Sequence, residues 1–229
     1  MNIVVTGANR GIGLEFVRQY LARGESVVAA VRSPSAAEAL RALGAAHPGA
    51  LRVLACDVGD DASVAEFARA MGDAAVDVLV NNAGVRGEWT SLEAMDTAEA
   101  LRTYSVNALG PLRVTRALLP HLLRSETRKV AHISSGMGSI GDNTSGGAYA
   151  YRMSKAALNM ASRSMAVDLR DRRVISVVFN PGWVQTDMGG RSAPVPVDQS
   201  VHALVALIDG LAASDSGDFL DWRGKRYEW

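Results

Sequence analysis

Seven short runs of β-branched and other apolar residues punctuate this chain, at residues 2–6, 26–31, 51–56, 77–81, 128–134, 174–180 and, more weakly, 218–222. Each is nearly continuous in apolar character rather than alternating, so both faces of the sheet they build must be covered. Between them, at 11–23, 36–45, 60–71, 97–123, 151–170 and 198–212, apolar residues recur at the three- and four-residue spacing of amphipathic helices. Strand and helix alternating along the whole chain predict an α/β fold. Its parallel sheet of about seven strands is doubly wound, with helices on both faces and right-handed crossovers. No linker, low-complexity tract or internal repeat divides the chain, so residues 1–229 read as one domain. Pro194 and Pro196 mark a short surface loop before the last helix.

Charge and cysteine content narrow the function. The 24 basic residues balance the 24 acidic ones, so nothing attracts the chain over long range to nucleic acid or to an anionic membrane, and neither is expected as a partner. No window approaches the ~18 consecutive apolar residues of a membrane span. The opening Met1-Asn2-Ile3-Val4-Val5-Thr6-Gly7 enters a strand directly, without the features of an export signal, and a cytoplasmic location is expected. Cys56 is the only cysteine and reads as a small buried residue; His47, His121, His132 and His202 are scattered without ligand spacing. No metal site is expected.

The segment Val4-Val5-Thr6-Gly7-Ala8-Asn9-Arg10-Gly11-Ile12-Gly13 sets three glycines at the turn from the first strand into the first helix. Glycines there let the backbone approach a pyrophosphate while first-turn N–H groups point at the anion. The G-x3-G-x-G spacing differs from G-x-G-x-x-G, and a tight turn with close helix–strand packing is the alternative. At the end of the second strand, where an acid would accept from an adenosine 2′-hydroxyl, stand Val31 and Arg32 instead. Arg32 and Arg10 together suit a 2′-phosphate, which favours NADPH over NADH.

These motifs continue in order along the chain: Asn81-Asn82-Ala83-Gly84 after the fourth strand, Asn107 in the long helical segment, Ser134-Ser135 ending the fifth strand, Tyr151-x3-Lys155, and Asn180-Pro181-Gly182 with Thr186. Over its whole length the sequence resembles the short-chain dehydrogenase/reductase family, whose fold is of Rossmann type. Within it, the stretch from Ile133 to Asn159 and the ending Trp222-Arg223-Gly224-Lys225-Arg226-Tyr227-Glu228-Trp229 are most similar to the branch of sniffer-type carbonyl reductases and C-signal proteins. The resemblance implies that NADP(H) is held by Thr6, Gly7, Asn9, Arg10, Gly11, Ile12, Gly13, Arg32, Asp57, Val58, Asn82, Ala83, Gly84, Tyr151, Lys155, Pro181, Gly182, Val184 and Thr186. Asp57 would accept from the adenine amino group, although it also reads as a helix N-cap. Asn81, Ala83 and Gly84 would line the adenine ribose side.

Reducing a carbonyl by hydride transfer puts alkoxide character on its oxygen, which calls for a proton donor and hydrogen bonds. Tyr151 and Lys155 share one helix face, and a nearby ammonium favours phenol ionisation. Tyr149 stands six residues before Lys155 and projects elsewhere, as packing or pocket wall. The family pattern implies Ser135 as the group that holds the carbonyl oxygen, with Ser139 as the alternative. Because Ser135 lies sixteen positions before Tyr151, the loop between them must bulge. Asn107 would order a water that connects Lys155 to solvent, or else satisfy backbone groups at a kink before Gly110-Pro111. Met137, Trp89, Trp183 and Met188 suggest an open pocket for a lipophilic ketone or aldehyde, or the corresponding alcohol. No G-x-S-x-G elbow supports hydrolase chemistry. The expected activity is an NADPH-dependent carbonyl reductase; the alternative is a nucleotide-binding regulatory or signalling protein. Small residues Ala156, Ala157, Ala161 and Ser164 permit close helix approach, internally or in the homodimer or homotetramer the family implies.

Overall fold

The computed structural model describes residues 1–229. Its strands are β1 Asn2–Thr6, β2 Ser26–Val31, β3 Leu51–Ala55, β4 Val78–Asn81, β5 Lys129–Ile133, β6 Ile175–Asn180 and β7 Phe219–Asp221. They form one sheet in the order β3-β2-β1-β4-β5-β6-β7, every neighbouring pair parallel. The helices are α1 Gly11–Ala22, α2 Glu38–Ala46, α3 Asp61–Met71, α4 Thr97–Tyr104, α5 Gly110–Leu123, α6 Tyr149–Asp168 and α7 Val197–Gly210.

The continuous apolar strands are buried on two sides because two separate cores lie against the sheet. On one face Phe16, Val17 and Tyr20 of α1, Leu40 of α2 and Leu204 and Ile208 of α7 meet Ile3, Val5, Val177 and Phe179. On the other, Val64 and Phe67 of α3 and Val114, Leu118 and Leu122 of α5 meet Val4, Leu79 and Val130. The alternation of side chains along each strand sends successive residues to opposite cores. Each fully buried Leu or Phe contributes about 1.5–3 kcal/mol. The edge strand β3 departs from the expected double cover: none of its residues is fully buried, and Arg52 is exposed. No helix is long and apolar enough to cross a membrane.

Two elements differ from the sequence reading in ways that matter for the site. The single helix expected over 97–123 is three pieces, with a π-helical turn at Ser105–Leu109 between α4 and α5. Pro111 explains the break, since in an α-helix its missing N–H would serve the Asn107 carbonyl. The helix expected from residue 151 instead starts at Tyr149. Gly146, Gly147 and Ala148 all have positive φ, +63°, +63° and +48°, and this run of left-handed residues turns the chain abruptly into α6.

Candidate active site

A cleft of about 1340 Å³ opens at the carboxyl ends of the strands, where β1 and β4 diverge to feed helices on opposite faces, the topological switch point of such a sheet. The glycine loop forms one wall. Gly7 and Gly11 have φ of +62° and +52°, and a Cβ on Gly7 would stand 2.8 Å from the Ala83 Cα. A Cβ on Gly13 would collide with the Gly7 carbonyl and the Asn82 amide, so the helix starts against bare backbone. Asn82 fixes this geometry: its Nδ2 donates to the Thr6 and Gly7 carbonyls at 2.9 and 3.1 Å. The Thr6 Oγ1 accepts from the Asn82 and Ala83 N–H groups, both at 3.0 Å. The donors and space a pyrophosphate requires are therefore present.

Two of the residues predicted at the nucleotide stand apart from the rest. Thr6 and Asn81 are buried and do not line the cleft. Thr6 ties two loops together, and the Asn81 Nδ2 donates to Thr115 Oγ1 at 3.0 Å and to His132 Nδ1 at 3.3 Å in the core. Strand alternation explains the second case, since Asn81 points into one layer and Asn82 does not. Asn9, Arg10, Ile12, Arg32, Asp57, Val58, Asn82, Ala83, Gly84, Pro181, Gly182, Val184 and Thr186 all line the cleft with the three glycines. The cap of α3 is Asp60, which accepts from Ser63 N, while the Asp57 Oδ1 accepts from Gly59 N at 2.9 Å and remains at the cleft wall. Arg10 reaches across the cleft mouth to Asp187 at 3.2 Å; both side chains are exposed. Cys56 is buried at the cleft wall, and burial pushes its thiol up to about 12.

At the other end α6 carries Tyr151 and Lys155 into the same cleft as Ser135. The Lys155 Nζ donates to the Ile133 carbonyl at 2.9 Å and lies 5.7 Å from the centre of the Tyr151 ring. Burial holds its ammonium down at about 8. Burial also raises the Tyr151 phenol above its ordinary value, and interaction with the Ser135 side chain pulls it back part of the way. Ser135 opens a short 3₁₀ turn, Gly136–Gly138, its Oγ accepting from Met137 N at 3.1 Å. Ser134 is committed elsewhere, donating to the Asn159 Oδ1 at 2.7 Å. Ser139 is buried outside the cleft and accepts from Asp142 N at 3.1 Å. The loop between Ser135 and α6 bulges outward as expected, with Ile140 79% exposed.

Asn107 is fully buried behind Lys155, and its side chain is already occupied. Its Oδ1 accepts from Val85 N at 2.8 Å, and its Nδ2 donates to the Val85 carbonyl at 2.8 Å and to Ser154 Oγ at 3.0 Å. Both amide hydrogens thus hold the β4 loop against α6. On the far side Trp89, Met137, Trp183 and Met188 share the cleft wall with Tyr151. Arg86 stacks on the Trp89 ring at 4.7 Å, and the Trp183 Nε1 donates to the Gly189 carbonyl at 2.7 Å. Asp142, Arg152 and Tyr227 also line this end and were not anticipated. Tyr227 and Asp142 are too far apart in sequence for any local pattern to join them; Arg152, beside Tyr151, was legible from its position alone.

The family model described as short chain dehydrogenase matches residues 1–194. The C-signal protein of Myxococcus xanthus is 56% identical over 154 residues, covering 67% of this chain and 93% of that protein. Among solved structures, the NADPH-bound carbonyl reductase from chicken fatty liver superposes with a TM-score of 0.94 at 35% identity, covering 100% of this chain and 98% of that one. The carbonyl reductase Sniffer of D. melanogaster gives 0.95 at 32% identity, covering 100% and 99%.

Proposed function

Because the chain belongs to the short-chain dehydrogenase family, we propose that it reduces a ketone or aldehyde to an alcohol with NADPH as hydride donor. The observation that carries this reading is the meeting of Tyr151, Lys155 and Ser135 in one cleft with the glycine loop. Bound there, the reduced nicotinamide supplies the hydride. The backbone N–H groups between Gly7 and Gly13 would hold the phosphates, and the 2′-phosphate is assigned to Arg32 and Arg10, both exposed in the cleft lining. The carbonyl-reductase neighbour crystallised with NADPH supports that preference.

A reduction needs a phenol that still carries its proton. Burial raises the Tyr151 hydroxyl and so keeps it protonated across neutral pH. Tyr151 donates that proton to the carbonyl oxygen as negative charge develops, and the Ser135 hydroxyl donates a second hydrogen bond to the same atom. Lys155 then restores the proton, since burial holds its ammonium down at about 8, below the raised phenol of Tyr151. With both Asn107 amide hydrogens engaged, a water relay at this residue is assigned to its main-chain carbonyl, which Pro111 deprives of an α-helical donor.

The substrate is a lipophilic carbonyl compound held among Met137, Trp89, Trp183 and Met188. An oligomer is assigned to the exposed apolar residues of the packed pair α4 and α6, Leu101, Met153, Met160 and Val167. Oxidation of NADPH followed across a panel of aryl ketones, quinones and aliphatic aldehydes tests the activity. Turnover of at least one class, with higher kcat/KM for NADPH than for NADH, is expected. Tight NADPH binding without turnover of any carbonyl would favour a regulatory protein instead.

A further inference from the structure

The chain after β7 turns back on itself. The Asp221 Oδ1 accepts from Arg223 N and Lys225 N, both at 2.9 Å, Gly224 takes a φ of +83°, and Tyr227 N donates to the Phe219 carbonyl at 2.7 Å. This return carries Tyr227 to the substrate end of the cleft, where it shares the wall with Ser135, Met137 and Asp142. The segment is seated on β7 by the Phe219 ring, whose centre lies 4.9 Å from Tyr227 and 5.5 Å from Trp229.

Two hydrogen bonds then fasten it to the loop that separates Ser135 from α6. The Tyr227 hydroxyl donates to Asp142 Oδ2 at 2.6 Å, and Gly141 N donates to the Trp229 carbonyl at 2.9 Å. Two glycines make the room. A Cβ on Gly136 would stand 2.5 Å from the Tyr227 hydroxyl oxygen, and one on Gly141 would run into the Glu228 side chain. Gly136 directly follows Ser135, so the tyrosine also bears on the turn that aims the Ser135 hydroxyl. Burial, together with Asp142, pushes the Tyr227 phenol up to about 12, so the donor persists through neutral pH.

We propose that Tyr227 is a positioning and specificity-determining residue: its bond to Asp142 and its seat against Gly136 latch the loop over residues 139–148 and the Ser135 turn, and so limit which carbonyl compounds the cleft accepts. This inference rests on the carbonyl-reductase reading above. A latched loop confines a small substrate against Ser135 and Tyr151; a released one admits larger substrates and holds small ones less well.

The test compares the full chain with Tyr227→Phe, Asp142→Ala, Asp142→Asn and the double variant Tyr227→Phe/Asp142→Ala. Hydrogen–deuterium exchange over residues 139–148 is expected to accelerate about tenfold in Tyr227→Phe and in Asp142→Ala, as loss of the Tyr227–Asp142 hydrogen bond implies. Asp142→Asn keeps an acceptor and should restore most of the protection, and the double variant should exchange no faster than either single one. Unchanged exchange, or effects that add in the double variant, would overturn the latch. The kcat/KM ratio of a bulky aryl ketone over a short aliphatic aldehyde should rise about fivefold in Tyr227→Phe, through KM for the aldehyde. The NADPH Kd should stay constant. Equal losses for both substrates, or a weakened NADPH Kd, would overturn the specificity role. Absence of turnover in the unsubstituted protein would defeat the carbonyl-reductase reading alone, and exchange would still decide whether the latch exists.

Discussion

Tyr149 and Tyr151 lie two positions apart on the same helix, yet only Tyr151 lines the cleft beside Lys155 and Ser135. Spacing alone separates them, because Lys155 is one turn beyond Tyr151 and off the face of Tyr149. Removing the proposed proton donor tests the assignment: Tyr151→Phe should lower kcat by about 10²–10⁴-fold while leaving the NADPH Kd within a fewfold. In the proposed reaction Lys155 is the group expected to carry the pH dependence. Its proton is lost as pH rises through about 8, so kcat for reduction should fall above that value and hold below it to neutrality. Lys155→Met should abolish the fall together with most of the activity. Choosing between Ser135 and Ser139 was beyond the sequence, since both follow the fifth strand within one loop. The fold buries Ser139 on Asp142 N and leaves Ser135 in the cleft, which favours loss of activity in Ser135→Ala over Ser139→Ala.

At the level of elements, the glycine loop is a contact between β1, α1 and the turn after β4. Gly13→Ala would drive a methyl group into the Gly7 carbonyl and the Asn82 amide. The expected result is loss of NADPH binding by at least ~100-fold with stability lowered by about 1–3 kcal/mol, read by fluorescence titration and urea unfolding. The exposed bridge between Arg10 and Asp187 joins this loop to the segment after β6. It competes for a cation assigned to phosphate, so Asp187→Asn should tighten NADPH binding a fewfold at low salt and have little effect at high salt. The long helix shows what periodicity conceals. Residues 97–123 keep their apolar spacing through the π-helical turn, and only Pro111, read together with its partner four residues earlier, signals that the hydrogen-bond register slips at Asn107.

Across the whole molecule, a buried polar chain continues one face of the sheet, on the side to which Leu79 and Val130 also point. His132 sits fully buried on β5, 3.3 Å from Asn81 Nδ2 and 3.2 Å from the Ser176 hydroxyl, which meets Ser162 at 2.9 Å. Burial, helped by the Lys155 charge, depresses the imidazole from 6.5 to about 3, so the folded protein keeps it neutral while the unfolded chain protonates it. Stability contributed by this residue is complete above 6.5 and is lost as pH falls toward 3, at about 1.4 kcal/mol per pH unit. Urea midpoints measured across that window should show the slope, and His132→Gln should flatten it by one proton while lowering stability at neutral pH. The sequence by itself determined the doubly wound sheet, the strand–glycine–helix turn and the pairing of Tyr151 with Lys155, because each is written in local periodicity or in spacing within a few residues. Only the tertiary structure decided that Thr6 and Asn81 are buried away from the cleft lining, that Ser135 rather than Ser139 lines it, and that Tyr227 reaches the wall beside Ser135. Those outcomes depend on which face of a strand looks into the cleft and on contacts between segments as far apart as residues 142 and 227. Burial and chain reversal assign them, and neither leaves a periodic trace in the order of the amino acids.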